Sequence, residues 1–326
     1  MTTTRRVLLL ATGDVIAHSR RPGQESVASG AELVRRLGPG LLGVDVVAED
    51  VLAEPGWDIS PGTLLSLARR ARTAILEQGF DGVVVTHGTD TLEESAFLAD
   101  LLAATAADRG GIVFTGAMRC LDDPATDGPA NLASAILAAA DPALRGVGAV
   151  ACLNGELHAA RWVTMIDATG PVAFSSSPYP PLGRVVEGQV ELLTGPPARP
   201  PRPEGEPEPD VALVKTYPGI DPVLLTSIVD AGARGIVLEG TGPGNVPVEL
   251  FGTIQDLIQW DIPVVVASRS RTRTIALDEL PLGQGLAAKM GAIGARGLAP
   301  VKARVALMVA LGGGGVTVVR DWFSRL

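Results

Sequence analysis

At 326 residues, with 46% hydrophobic and 19% charged side chains, the chain is long enough for two domains with buried cores and does not read as disordered. Its 27 basic and 36 acidic residues leave a net charge of −9, and no basic stripe is present to grip a phosphate backbone, which argues against a nucleic-acid binder. No apolar run approaches the ~18 residues of a membrane span, residues 7–11 behind Arg5 and Arg6 fall short of a signal-peptide core of roughly 7–15 residues, and Cys120 and Cys152 give neither a disulfide framework nor zinc spacing, so the chain is expected to be soluble and cytoplasmic, with no membrane partner.

A continuous apolar run over 6–11, closed by Thr12, Gly13 and Asp14, predicts a strand buried on both faces, as in parallel sheets. Residues 61–78 predict a helix: Ser60 is placed to cap it, Pro61 suits its first turn, and Leu64, Leu67, Ala68, Ala71 and Ile75 share one face. A strand over 82–88, a helix over 92–107, a strand over 112–116, a helix over 129–140 and a strand over 147–153 continue the rhythm. Such alternation predicts an α/β fold with a mainly parallel sheet.

The rhythm breaks at PPARPPRPEGEPEP, residues 196–209, which can form neither a helix nor an interior strand and reads as an extended, exposed linker. It resumes with strands over 211–216, 235–239 and 263–267 and helices over 222–231, 248–260 and 300–311. The expected division is an N-terminal domain at 1–195, a linker at 196–210 and a C-terminal domain at 211–326.

In open parallel sheets ligands sit at the carboxyl ends of the strands. Three loops there carry unusual residues: Thr12, Gly13, Asp14, Val15 and Ile16 after the first strand; His87, Gly88, Thr89, Asp90, Thr91, Leu92, Glu93 and Glu94 after the second; and Thr115, Gly116, Ala117, Met118 and Arg119, leading to Asp127, Gly128, Pro129, Asn131 and Leu132, after the third. Taken singly, a Thr-Asp-Thr following a strand is most simply a helix cap.

Taken together the loops resemble the bacterial-type L-asparaginase/glutaminase family, and the likeness extends to Gly297, Leu298, Ala299, Pro300, Lys302, Ala303 and Arg304 near the other end of the chain. The resemblance implies a two-domain asparaginase-like α/β fold, with a larger N-terminal and a smaller C-terminal α/β domain. It also implies a small-molecule ligand, no cofactor, and a homodimer or homotetramer whose active sites lie at a dimer interface.

Several positions depart from the family pattern. Val15 stands where the nucleophilic threonine of the first loop belongs, and valine matches that side chain in shape but has no oxygen with which to form an acyl-enzyme. Thr89 and Asp90 match the second catalytic set. Its lysine, which follows an Arg-x-Val-x-Lys pattern, is replaced by Met165 in Arg161, Trp162, Val163, Thr164, Met165. Gly56 falls where a serine helps hold the substrate, and the segment 20–26 lacks the tyrosine of the family's lid, since Tyr179 and Tyr217 lie elsewhere. The glutamate given by the partner subunit corresponds to Asp278 or Glu279.

The resemblance thus points to Thr89 and Asp90 as the catalytic pair and to Thr12, Asp14, Val15, Gly56, Gly88, Ala117, Met118 and Met165 as the residues that line the ligand. Without the lysine, Asp90 must draw support from amides at the start of the following helix, from water or from Arg119. His87 is expected to structure its turn, and neither it nor His18 or His158 has metal-ligand spacing, so no metal is expected. Three functions remain open: altered chemistry on a small amide or amino-acid-like ligand with weak or no L-asparagine hydrolysis; ordinary L-asparagine hydrolysis with Thr12 or Ser19 as the hydroxyl; and a silent ligand-binding homologue.

Overall fold

A computed structural model describes residues 4–326 except 24, 39–40, 42, 53–54, 271–275 and 282. The first apolar run forms β1 (Arg5–Ala11), whose last five residues are all buried. A short hairpin, β2 (His18–Ser19) and β3 (Ser26–Val27), follows, then α1 (Gly30–Arg36), β4 (Val44–Asp50) and α2 (Pro61–Leu76). The Ser60 hydroxyl caps α2 by accepting from the Thr63 N–H, the role its chemistry dictates. Next come β5 (Gly82–Thr86), α3 (Leu92–Ala103), β6 (Gly111–Thr115), α4 (Gly128–Ala140), β7 (Ala149–Leu153), β8 (Glu156–Ala159), β9 (Thr164–Met165), β10 (Phe174–Ser175), β11 (Gly183–Val186) and β12 (Gln189–Leu192).

Eight of these strands form one sheet in the order β12-β11-β8-β7-β6-β5-β1-β4. The run from β4 through β1, β5 and β6 to β7 is parallel, while β8, β11 and β12 add an antiparallel end that the sequence pattern did not predict. Alternate residues of the parallel strands, Val7, Leu9, Val84, Val113 and Val150, join Leu132, Ala135 and Ile136 of α4 in one core. Their neighbours Leu8, Leu10, Val83 and Val85 are buried too, so both faces of the sheet are covered, as parallel strands require.

Contacts divide the chain into two units, Met1–Pro197 and Ala198–Leu326. The second unit holds β13 (Val211–Lys215), α5 (Val223–Asp230), β14 (Gly235–Gly240), α6 (Phe251–Gln259), β15 (Val264–Ser268), β16 (Ile293–Gly294), α7 (Pro300–Leu311) and α8 (Val316–Ser324). Its four strands are parallel, in the order β13-β14-β15-β16. The fold is a two-domain α/β architecture, larger unit first.

The proline-rich stretch has no regular structure, as its composition dictates. It is not, however, a freely exposed tether. From Ala198 onward it belongs to the second unit, with Pro200 and Pro207 buried. The Glu208 N–H donates to the Met308 carbonyl at 2.8 Å, and the Trp322 indole N–H donates to the Pro201 carbonyl at 2.9 Å. Prolines remove donors but leave their carbonyls free to accept, as Pro201 does, while the non-proline Glu208 still donates.

Candidate functional site

Register sets up the site. Ala11, Thr86 and Thr115, the last residues of β1, β5 and β6, lie side by side, with Asp50 of β4 next to Ala11. The loops that leave these strands therefore start level. Beyond the strands threonine side chains continue the ladder: the Thr12 hydroxyl donates to the Thr86 carbonyl at 2.7 Å, and the Thr115 hydroxyl donates to the Cys152 carbonyl at 2.7 Å. Thr12 is wholly buried. Its hydroxyl proton is committed to the Thr86 carbonyl.

Asp14 adopts a left-handed backbone (φ 63°), uncommon for a residue with a side chain. Its Oδ1 accepts the Val15 N–H and its Oδ2 the Gly56 N–H, each at 2.6 Å. Two glycines make room for the carboxylate: a Cβ on Gly88 would lie 2.1 Å from Oδ2, and one on Gly56 3.3 Å from it. The carbonyl of Gly56 accepts the Thr91 hydroxyl at 2.6 Å. Gly56 is thus pinned from both sides, by the first loop and the second. Val15 is half-buried and packs its methyls against the main core.

Below the second loop lies His87, 1% exposed. Its Nδ1 is 2.8 Å from the Gly88 carbonyl and its Nε2 is 2.7 Å from the Ser95 hydroxyl. A carbonyl only accepts, so Nδ1 carries the proton and Nε2 of the neutral ring accepts a hydrogen bond from the Ser95 hydroxyl. Burial holds the imidazole below its usual pKa and hence neutral. The residue shapes its turn, as expected.

Thr89 is 8% exposed and Asp90 is exposed, and neither side chain bonds to another described residue. Thr91, the N-cap residue of α3, makes no side-chain cap bond, because its hydroxyl is turned back to Gly56. The simple cap reading of this loop is therefore not what the fold does with it. Asp90 gains nothing from Arg119 either, whose guanidinium donates to the Ala125 carbonyl at 2.9 Å.

The third loop is held by Asp127, whose carboxylate accepts the N–H groups of both Met118 and Arg119 at 3.0–3.1 Å. Asn131 donates to the Gly116 carbonyl at 2.9 Å. Ala117 is buried and Met118 half-buried. Met165 is drawn towards the start of α3 by its own N–H, which donates to Glu93 Oε1 at 3.3 Å. Asp14, Val15, Gly56 and Gly88 form one contact group around the Asp14 carboxylate, Thr89 and Asp90 continue it directly, and Met165 joins through Glu93. Ser19, the other candidate hydroxyl, lies in the β2–β3 hairpin, beside the Arg20 N–H that donates to Asp122 at 3.0 Å.

One family model, "Asparaginase, N-terminal", matches residues 6–198, and another, "Glutaminase/Asparaginase C-terminal domain", matches residues 210–323. The chain belongs to the asparaginase family. Similar proteins include the L-asparaginase of Bacillus licheniformis, 31% identical over 271 residues that span 81% of this chain and 82% of that protein. L-asparaginase 2 of Escherichia coli (strain K12) is 32% identical over 321 residues, covering 94% of this chain and 88% of that one. The crystal structure of the probable cytoplasmic L-asparaginase from Campylobacter jejuni matches with a TM-score of 0.84 at 26% identity, covering 99% of this chain and all of that one.

In this asparaginase-family chain Asp278 and Glu279 lie exposed in a single turn of 3-10 helix in the second unit. Gln24, within the segment expected to form a lid, lies outside the described residues. Among the described residues no group of three His, Cys, Asp or Glu could hold a metal ion, and no helix is long and apolar enough to cross a membrane. Asp127 and Asn131 were legible only as parts of a motif, because their partners are backbone groups that no sequence pattern displays. The Thr91–Gly56 bond carried no signal at all.

Proposed function

We propose that this asparaginase-family protein is an enzyme acting on a small amide or amino-acid-like ligand by altered chemistry, with weak or no hydrolysis of L-asparagine. One observation carries the reading: Thr89 and Asp90 stand at the carboxyl ends of the strands with side chains engaged by no described residue, in a loop that does not use them to cap its helix. The position after Asp14 offers only valine methyls, which cannot attack a carbonyl. Thr12 and Ser19 do not replace it, since one hydroxyl is buried against Thr86 and the other sits in the β2–β3 hairpin, outside the main sheet. Met165 brings no cation to help Thr89 ionise.

Thr89 is then the hydroxyl and Asp90 the general acid or base, with Thr12, Asp14, Val15, Gly56, Gly88, Ala117, Met118 and Met165 around them, in a cytoplasmic homodimer or homotetramer needing no cofactor. The 1–195 and 211–326 segments act as its two domains. A second reading, ordinary L-asparaginase activity, is favoured by the names of the relatives.

Ammonia release from L-asparagine, L-glutamine and simple amides separates these readings. The expected result is feeble turnover on L-asparagine, raised by Val15→Thr combined with Met165→Lys and lost with Thr89→Val, since groups of this kind act as a unit. Turnover near the usual enzyme value of about 10 per second on L-asparagine would establish the ordinary reading. No turnover of any amide, with binding retained, would establish a silent homologue.

A further inference from the structure

Asp14 does more than brace a turn. Its carboxylate already occupies the two backbone N–H donors, of Val15 and Gly56, that meet between the first loop and the segment after β4. The absent side chains of Gly56 and Gly88 leave the hollow in which it lies. An incoming carboxylate would find those donors taken and a fixed negative charge beside them. A second negative charge, Asp90, stands exposed two positions after Gly88.

Three positions that could supply a compensating cation do not. His87 beneath Gly88 is kept neutral by burial, the Arg119 guanidinium is turned to the Ala125 carbonyl, and residue 165 is a methionine. A fixed charge about 4 Å from a ligand charge is worth enough to choose between ligands of opposite sign, the more so where water is partly excluded.

We infer that Asp14 is a specificity-determining residue: a built-in anion that makes the site select a small amine-bearing amide without a carboxylate and reject its carboxylate counterpart. This rests on the proposed ligand role of the Thr89–Asp90 loop and deepens it by naming the ligand class.

Two probes of nearly equal size isolate the charge: 3-aminopropanamide, with an amine and an amide, and succinamate, with a carboxylate and an amide. Their affinities are measured by titration calorimetry on the full chain, on Asp14→Gly and on Asp14→Asn. Glycine suits the left-handed backbone and frees both donors, while asparagine tolerates that backbone and removes the charge, keeping one oxygen to accept an N–H and turning its NH2 towards the other. The wild-type protein should prefer 3-aminopropanamide by about tenfold or more, Asp14→Asn should narrow that preference, and Asp14→Gly should erase or reverse it by admitting succinamate. Equal affinities in the wild-type protein, or a preference unmoved by either substitution, would overturn the inference while leaving a ligand site in place. Failure of both probes to bind all three proteins would overturn the ligand-site reading along with it.

Discussion

Ser95 and His87 share a hydrogen bond of 2.7 Å inside the first unit, joining α3 to the turn that precedes it. Through the other ring nitrogen the same histidine holds the Gly88 carbonyl, and Gly88 is the surface on which the Asp14 carboxylate rests. A neutral buried imidazole thus fixes the position of the candidate site from below.

That neutrality makes stability depend on pH in a definite direction. Burial puts the folded pKa of His87 below the unfolded value of about 6.5. Above that value the ring is neutral in both states and the stability is fully present. As pH falls below it, the unfolded chain takes up a proton that the folded ring refuses, so stability declines until the folded ring also titrates. Urea midpoints should therefore fall more steeply between pH 7 and pH 5 in the wild-type protein than in His87→Gln. Parallel curves would show that His87 does not contribute.

Gly88→Ala should be severe, because the new methyl meets both Asp14 Oδ2 at 2.1 Å and the Gly56 Cα at 2.8 Å. Overpacking of this kind costs about 1–3 kcal/mol. Pairing it with Asp14→Gly should recover part of the loss and no more, since the Gly56 backbone remains in place. A thermodynamic cycle over the four proteins should show coupling of at least about 0.5 kcal/mol; strict additivity would mean that the two loops yield independently.

The two cysteines should differ sharply in reactivity. Cys152 is fully buried in β7 and burial pushes its thiol up to about 12, whereas Cys120 is partly exposed. The thiolate is the reactive form. Near pH 8 a thiol reagent should modify one cysteine per native chain, mapped to Cys120, and both after denaturation. Rapid labelling of Cys152 in the native protein would mean that β7 opens readily.

In the second unit Gly205 and Gly312 approach so closely that a Cβ on Gly205 would lie 1.8 Å from the Gly312 carbonyl oxygen. Gly205→Ala should therefore lower the melting temperature and expose the bond after Glu204 to a glutamate-specific protease. Shuffling residues 198–209 should do the same, because it moves the glycine and the carbonyl that receives Trp322. An unchanged melting curve in both cases would restore the picture of an indifferent linker.

The parts of the fold legible in the sequence are those where burial is complete. Strands β1, β5, β6 and β7 sit under cover on both sides and so appear as short, largely apolar runs. By contrast β4, β11 and β12 are half-exposed, with burial that alternates or lapses, and their mixed composition resembles loop. Helix α8 lacks a capping side chain to announce it. At the site, the strand-end motifs were legible, but the contacts that join them were not. Asp14 and Gly56 are 42 residues apart, and a left-handed aspartate leaves no mark in one sequence. The inward turn of the Thr12 hydroxyl was equally hidden, since a buried and an exposed threonine are the same letter.

Residues 198–209 have a consequence for shuffling modules between proteins. The matched family domains end at 198 and resume at 210, so a chimera cut at those edges treats the intervening prolines as disposable thread. Here they form a collar on the second unit, supplying the acceptor for the Trp322 indole and the donor for the Met308 carbonyl. A transplanted second unit must carry its own collar from Ala198. A foreign linker in that place would leave the indole N–H without its partner and open the ends of α7 and α8 to solvent.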